Sequence, residues 1–135
     1  QQNNSGENII YKTNIGNSEN LGLEFFLQTK YIIFDDYLIE IFTSTSYIDA
    51  RYKDATLRNG NFNVDISNNQ VESVPRLISR NGISFENEDY KVNLLYSYVG
   101  ENYSDPLNTI STNINGTTGV VPSYSLVDLN TTIYI

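Results

Sequence analysis

The sequence predicts an all-β fold, an antiparallel up-and-down meander of about five strands, on three observations. The 135 residues include 11 Tyr and 6 Phe among frequent Asn, Thr, Ser and Ile, a composition that favours strands and turns and argues against disorder. Five segments alternate apolar and polar side chains at the period of a strand. Short turns and long polar loops alternate between these segments, and the length suggests one domain.

The first two segments are joined by a short turn. The first is predicted over residues 9–33, and its clearer half places Leu23, Phe25 and Leu27 on one face and Glu24 and Lys30 on the other. After a turn at 34–36, the second segment covers 37–52 with its Tyr, Ile and Thr residues at odd positions. The polar stretch 53–69 is expected to be a surface loop.

The remaining three segments repeat this arrangement. The third covers 70–85, with Pro75 near its beginning and Arg76 and Arg80 expected on one face. A turn at 86–89 leads to the fourth segment, 90–98. The third and fourth segments form the clearest hairpin in the sequence. The polar connection 101–121 returns through Pro122 to the last segment, where odd positions from Val127 onward are mostly apolar.

Composition excludes several classes of function. The formal net charge of -8 disfavours binding to nucleic acid, whose phosphates require a basic surface. The chain has no Cys and no His, so disulfides, zinc sites and His-based catalytic triads are not expected. No pair of carboxylates stands out as a glycosidase site. We therefore expect no enzyme activity, no metal and no cofactor.

Two β architectures fit the pattern. No apolar run is long enough for a membrane-spanning helix, whereas a barrel strand crosses a membrane in about 9–11 residues. Alternating short turns and long loops are typical of outer-membrane barrels, and Tyr residues near strand ends would form aromatic girdles. These are at positions 31, 37, 47, 90, 98 and 124. A soluble sandwich produces a similar alternation, so the pattern alone leaves both open.

A family resemblance adds to this reading. Residues 96–135 contain a Tyr-Ser-Asp sequence ending at Asp105, then Asn108-Thr109, a loop with Gly116 and Gly119, Pro122-Ser123-Tyr124 and Asp128-Leu129. This stretch resembles the C-terminal part of the barrel of TonB-dependent receptors related to the ferric dicitrate transporter. Residues 11–25, 47–53 and 71–76 are similar to further strands of the same family.

The resemblance implies a location in the bacterial outer membrane and a role in uptake. Residues 1–135 would be a partial barrel domain, about five strands of about twenty-two, without the plug and the last strands. The expected partners are a ferric chelate (a siderophore or iron citrate) or similar nutrient, membrane lipid, and the TonB energising complex through the plug. The alternative from another class is a secreted adhesion or carbohydrate-binding module, with Tyr98, Tyr103 and Tyr124 as a stacking platform.

Six residues are candidates for ligand or lumen contacts. Asp49 with Arg51, and Arg76 with Arg80, could hold a carboxylate-bearing ligand, and structural ion pairing is the alternative role. Tyr103 and Asp105 belong to the family-like stretch, although the acidic loop residues lack the spacing of a calcium site. Charged residues on the polar faces of the strands are expected to line a lumen or simply to meet solvent: Glu24, Lys30, Glu40, Lys91 and Asp128.

Overall fold

The computed structural model describes residues 15–34 and 36–135, which form nine β-strands. They are β1 (Asn17–Ile33), β2 (Tyr37–Lys53), β3 (Thr56–Asn59), β4 (Phe62–Asp65), β5 (Leu77–Glu86), β6 (Tyr90–Val99), β7 (Asn102–Tyr103), β8 (Val120–Val121) and β9 (Tyr124–Ile133). Across those two ranges there is no helix long and apolar enough to cross a membrane.

The long strands form one five-stranded sheet in the order β1-β2-β5-β6-β9, and every neighbouring pair is antiparallel. This confirms the predicted all-β meander. The turns after β1 and β5 lie at one end of the sheet, here called the turn end. Residues 54–76 and 100–123 connect strands at the other end, here called the loop end.

The register gives the sheet two chemically different faces, because directly opposite residues on paired strands share a face. One such row is Thr29, Ile41, Ile83, Leu94 and Leu129, and it belongs to the face that we call the apolar face. The adjacent row is Lys30, Glu40, Ser84, Asn93 and Asn130, on the opposite or polar face. The apolar sides predicted for the separate strands therefore coincide.

Aromatic residues lie near both ends of the apolar face. At the turn end Phe85 stacks on Tyr37 with ring centroids 5.3 Å apart and lies 6.1 Å from Tyr90. At the loop end Tyr47 is opposite Leu77 and Tyr98 is opposite Ser79. Tyr31 shares this face, but Tyr124 is opposite Val99 and stands on the polar face, so the Tyr positions predicted for the girdles do not all share one side.

The first long connection contains a small hydrophobic core. β3 and β4 form a hairpin whose turn includes Gly60 at φ 61, and Tyr52, Ala55 and Ile66 are buried beside it. The pKa of Tyr52 is raised mainly by burial and further by the hydrogen bond that its hydroxyl donates to Glu72. The connection predicted as a polar surface loop over 53–69 therefore also contains a β-hairpin and a small core, in which Ile66 is fully enclosed.

The third predicted segment begins later in the structure. β5 starts at Leu77, because Ser73 has a φ of 59, outside strand geometry, and Pro75 has no backbone N–H to donate. The earlier residues 70–76 pack against the second connection: the Ser73 N–H donates to the Tyr103 carbonyl at 2.7 Å. The first strand starts at Asn17, and the predicted residues 9–14 lie outside the described ranges.

Candidate functional site

The structure separates the two arginines that were expected on one face. Arg80 lies within β5 opposite Ser44 and Ser97, on the polar face. Arg76 precedes β5, and its Nη2 lies 3.5 Å from Oδ1 of Asp49, a residue of the apolar face. The prediction of a shared face is therefore wrong, because the Arg76 side chain, just before β5, reaches Asp49 on the apolar face.

Asp49 brings two guanidinium groups together at the loop end. Arg51 Nε donates to Asp49 Oδ2 at 3.0 Å, and Arg51 Nη1 donates to the Asn68 carbonyl at 3.0 Å. The Arg51 hydrogen bond is the main reason that the pKa of Asp49 lies below its usual value; partial burial opposes it, and the positive charges of Arg51, Arg76 and Lys53 add to it. The same contact raises the pKa of Arg51.

A cavity of about 500 Å³ opens beside this cluster. Its lining includes three of the six candidates, Arg51, Arg76 and Tyr103. Leu77 and Tyr98 also line it. Arg51, Leu77 and Tyr98 all stand on the apolar face by register. We call this space the loop-end cavity. It lies on the opposite side of the sheet from Arg80.

Asp105 organises the second connection from inside. Its side chain is buried, and Oδ1 accepts from the Leu107 N–H at 3.0 Å and from the Thr109 hydroxyl at 2.9 Å. Oδ2 accepts from the Gly119 N–H at 3.3 Å. These bonds span the loop from both sides, so the carboxylate holds its two halves together.

The polar face carries most of the remaining charge. Lys30 pairs with Glu40 at 3.3 Å, and Gln28 also donates to Glu40. Lys91 pairs with Glu86 at 2.9 Å near the turn end. The five charged residues predicted for a polar face all occupy it: Glu24, Lys30, Glu40, Lys91 and Asp128.

Arg80 differs from these paired cations. Within residues 15–34 and 36–135 its side chain makes no ion pair and no hydrogen bond. The same ranges contain no group of three or more His, Cys, Asp or Glu side chains placed to hold a metal ion. Among the described residues, the polar face therefore carries the Arg80 guanidinium without a partner, flanked by the hydroxyl residues Ser44 and Ser97.

Comparison with known proteins places the fold in a family. The family described as TonB dependent receptor-like, beta-barrel, matches residues 1–134. The chain belongs to this family. No curated protein and no solved structure matches it. TonB-dependent receptors are transporters, not enzymes, of the bacterial outer membrane, and they bind small nutrients and interact with TonB.

Sequence reasoning missed two contacts in this TonB-dependent receptor barrel. Asn108 links the two long connections: its Oδ1 accepts from the Gln70 N–H at 2.7 Å, and its Nδ2 donates to the Gln70 carbonyl at 2.8 Å. In the sequence Asn108 stands out only as part of the family-like stretch, and nothing local to Gln70 indicates its partner. On the polar face the Phe42 ring lies directly over Gly82, a contact that the register alone creates.

Proposed function

We propose that this chain is part of the barrel wall of a receptor that takes up a ferric chelate, either a siderophore complex or iron citrate. In this arrangement the polar face lines the interior and the apolar face meets membrane lipid. The observation that carries the proposal is the continuous separation of the two faces across five antiparallel strands. The likeness of residues 96–135 to ferric dicitrate receptors supports iron as the cargo.

The apolar face has the height that a membrane requires. Tyr37 and Tyr47 mark its two ends on β2, and the ten residue steps between them measure about 33 Å along the strand. Barrel strands tilt by about 35–45°, which reduces this distance to about 25 Å across the bilayer, the height of the apolar band of outer-membrane barrels. The ion pairs of Asp49 then lie above the hydrocarbon.

Arg80 is the interior residue best suited to an anionic chelate. Ferric complexes with citrate and many carboxylate siderophores carry negative charge, and a guanidinium binds carboxylates through parallel hydrogen bonds. Lys30 and Lys91 are already paired with carboxylates, whereas Arg80 has no such partner among residues 15–34 and 36–135. We infer that Arg80 contributes to attraction or passage of the chelate through the interior.

Uptake of labelled iron tests this function. Cells producing the full-length protein should accumulate ⁵⁵Fe from ferric citrate or a ferric siderophore, and accumulation should stop when TonB is deleted. Arg80→Gln should reduce uptake severalfold, because the interior loses its unpaired cation. Arg58→Gln, which removes a charge from the exposed β3–β4 hairpin, should leave uptake unchanged. The proposal would be contradicted if the cells took up a nutrient that contains no iron and failed to take up any iron chelate.

Cysteine labelling tests the orientation of the faces separately. Neighbouring residues Asp128 and Leu129 stand on opposite faces of β9. In intact cells a membrane-impermeant maleimide should label Asp128→Cys through the water-filled interior, and Leu129→Cys should react only after detergent extraction. The reverse pattern would refute the orientation. A secreted binding module, the alternative of another class, is disfavoured by family membership and would show neither behaviour.

A further inference from the structure

The loop-end cavity lies on the wrong side of the sheet for the transported nutrient. Its residues Arg51, Leu77 and Tyr98 share the apolar face, which is the lipid side under the proposed function on which this inference rests. Tyr47 and Leu77 form the last apolar row before the charges of Asp49 and Arg51. The cavity therefore lies where the hydrocarbon ends and lipid headgroups begin.

The chemistry of this cavity suits a phosphate. Asp49 and the Asn68 carbonyl hold the Arg51 guanidinium in place, so part of the ordering needed for binding is complete before a ligand arrives. Among the residues that the structure describes, the Arg76 guanidinium forms one ion pair, to Asp49, and its Nε is buried without a hydrogen-bond partner. A guanidinium has five N–H donors, and phosphate oxygens accept them in pairs.

The remaining lining suits the lower part of a lipid. Leu77 and Tyr98 add apolar surface to the lining, and by register they lie closer to the middle of the sheet than Arg51 does. Tyr rings favour the boundary between hydrocarbon and water, where the ring is buried and the hydroxyl stays hydrated. Glu101 is the acidic residue in the lining, so an anion would be held on the side of Arg51 and Arg76.

We propose that the loop-end cavity binds the phosphate-bearing headgroup of an anionic membrane lipid, with Arg51 and Arg76 on the phosphate and the acyl chains descending over Leu77 and Tyr98. In such a lipid a charged headgroup is followed by apolar acyl chains. The cavity lining has the same order, with the charged side chains toward the loop end and the aromatic and aliphatic side chains toward the middle of the sheet. Such a lipid would join the two long connections to the membrane surface, because both contribute residues to the cavity, among them Gln70 and Tyr103.

Retention of a defined lipid tests the proposal. The full-length protein in detergent, free of chelate, would be titrated with phosphatidylglycerol or with phosphatidylcholine, and bound lipid would be counted by native mass spectrometry. We expect preferential binding of phosphatidylglycerol and a loss of about tenfold in its affinity in Arg76→Gln, the size of a lost charge-assisted contact. Arg76→Lys, which keeps the charge but not the fork of donors, should show an intermediate loss.

Arg80→Gln is the matched control, because it removes the same charge four residues along the chain but on the opposite face. It should retain phosphatidylglycerol like the unchanged protein. Equal losses in the Arg76 and Arg80 variants, or no preference over phosphatidylcholine, would overturn the proposal. Competition by inorganic phosphate or glycerol phosphate at equal concentration would assign the cavity to a soluble anion and also overturn it. Iron uptake and cysteine labelling report on the proposed function independently of these outcomes.

Discussion

The buried carboxylate of Asp105 lends itself to a quantitative test. Asp105→Ala removes three acceptor contacts, to the Leu107 N–H, the Thr109 hydroxyl and the Gly119 N–H. Hydrogen bonds to a charged group contribute about 1.5–3 kcal/mol each, but the 3.3 Å contact to Gly119 is weaker and the freed donors can turn to water. We therefore expect local opening of the loop to become easier by about 3 kcal/mol.

Hydrogen exchange of the full-length protein measures this change directly. A difference of about 3 kcal/mol corresponds to about a hundredfold faster exchange at the Leu107 and Gly119 amides. Asp105→Asn should show an intermediate effect of about 1–2 kcal/mol, because its amide retains one acceptor oxygen and presents a donor to the Gly119 N–H. Glu101→Ala, at an exposed position of the same connection, should leave both amides unchanged.

The result also separates the two roles open to Asp105. Unchanged exchange in Asp105→Ala would refute the structural role derived from its hydrogen bonds. Weakened chelate binding without faster exchange would then favour the ligand contact considered from the sequence. Faster exchange with proportionate loss of function would mean that the carboxylate acts through the shape of the loop.

Three further outcomes follow from single contacts. Gly82→Ala should destabilise the barrel by about 1–3 kcal/mol in thermal unfolding, since its methyl group would collide with the Phe42 ring, and Phe42→Leu should relieve part of the loss. Leu129→Arg on the apolar face should cost about 2–4 kcal/mol of folding stability in denaturant titrations, whereas Asn130→Arg on the polar face should change it little. The pKa of Asp49 is depressed in the folded chain, so its contribution to stability persists from neutral pH down to about 3.9 and is lost only as the pH falls through the lowered pKa. The rate of proteolysis within residues 53–76, measured between pH 5 and pH 2, checks this. Asp49→Asn should remove the pH dependence.

The faces of the sheet could be predicted from the sequence because strand geometry fixes them locally. Alternation of Leu23, Phe25 and Leu27 with Glu24 and Gln28 leaves one arrangement in which the apolar side chains share a side. A one-residue slip in pairing would move every such side chain to the opposite face. The hydrophobic pattern therefore specifies both the faces and the parity of the pairing register.

The loop end could not be predicted in the same way, because its order comes from contacts between distant segments. β3 and β4 have four residues each, too short for a period to be distinguished among flanking Asn residues. The burial of Ile66 depends on Tyr52, fourteen positions earlier in the chain. Local alternation also failed at Arg76, because its side chain pairs with Asp49 although its carbonyl still accepts from the Ile48 N–H.

The paired hydrogen bonds between Asn108 and Gln70 have a consequence for engineering receptors of this kind. Grafting only the 54–76 connection onto another barrel would leave the Gln70 backbone without its partner, and grafting only 100–123 would leave the Asn108 amide unsatisfied. The two connections are thus one exchangeable cassette. Swaps intended to transfer selectivity between receptors should carry both halves together, with peptide insertions confined to the tip at Gly60, where an added side chain meets no neighbouring atom within 4 Å.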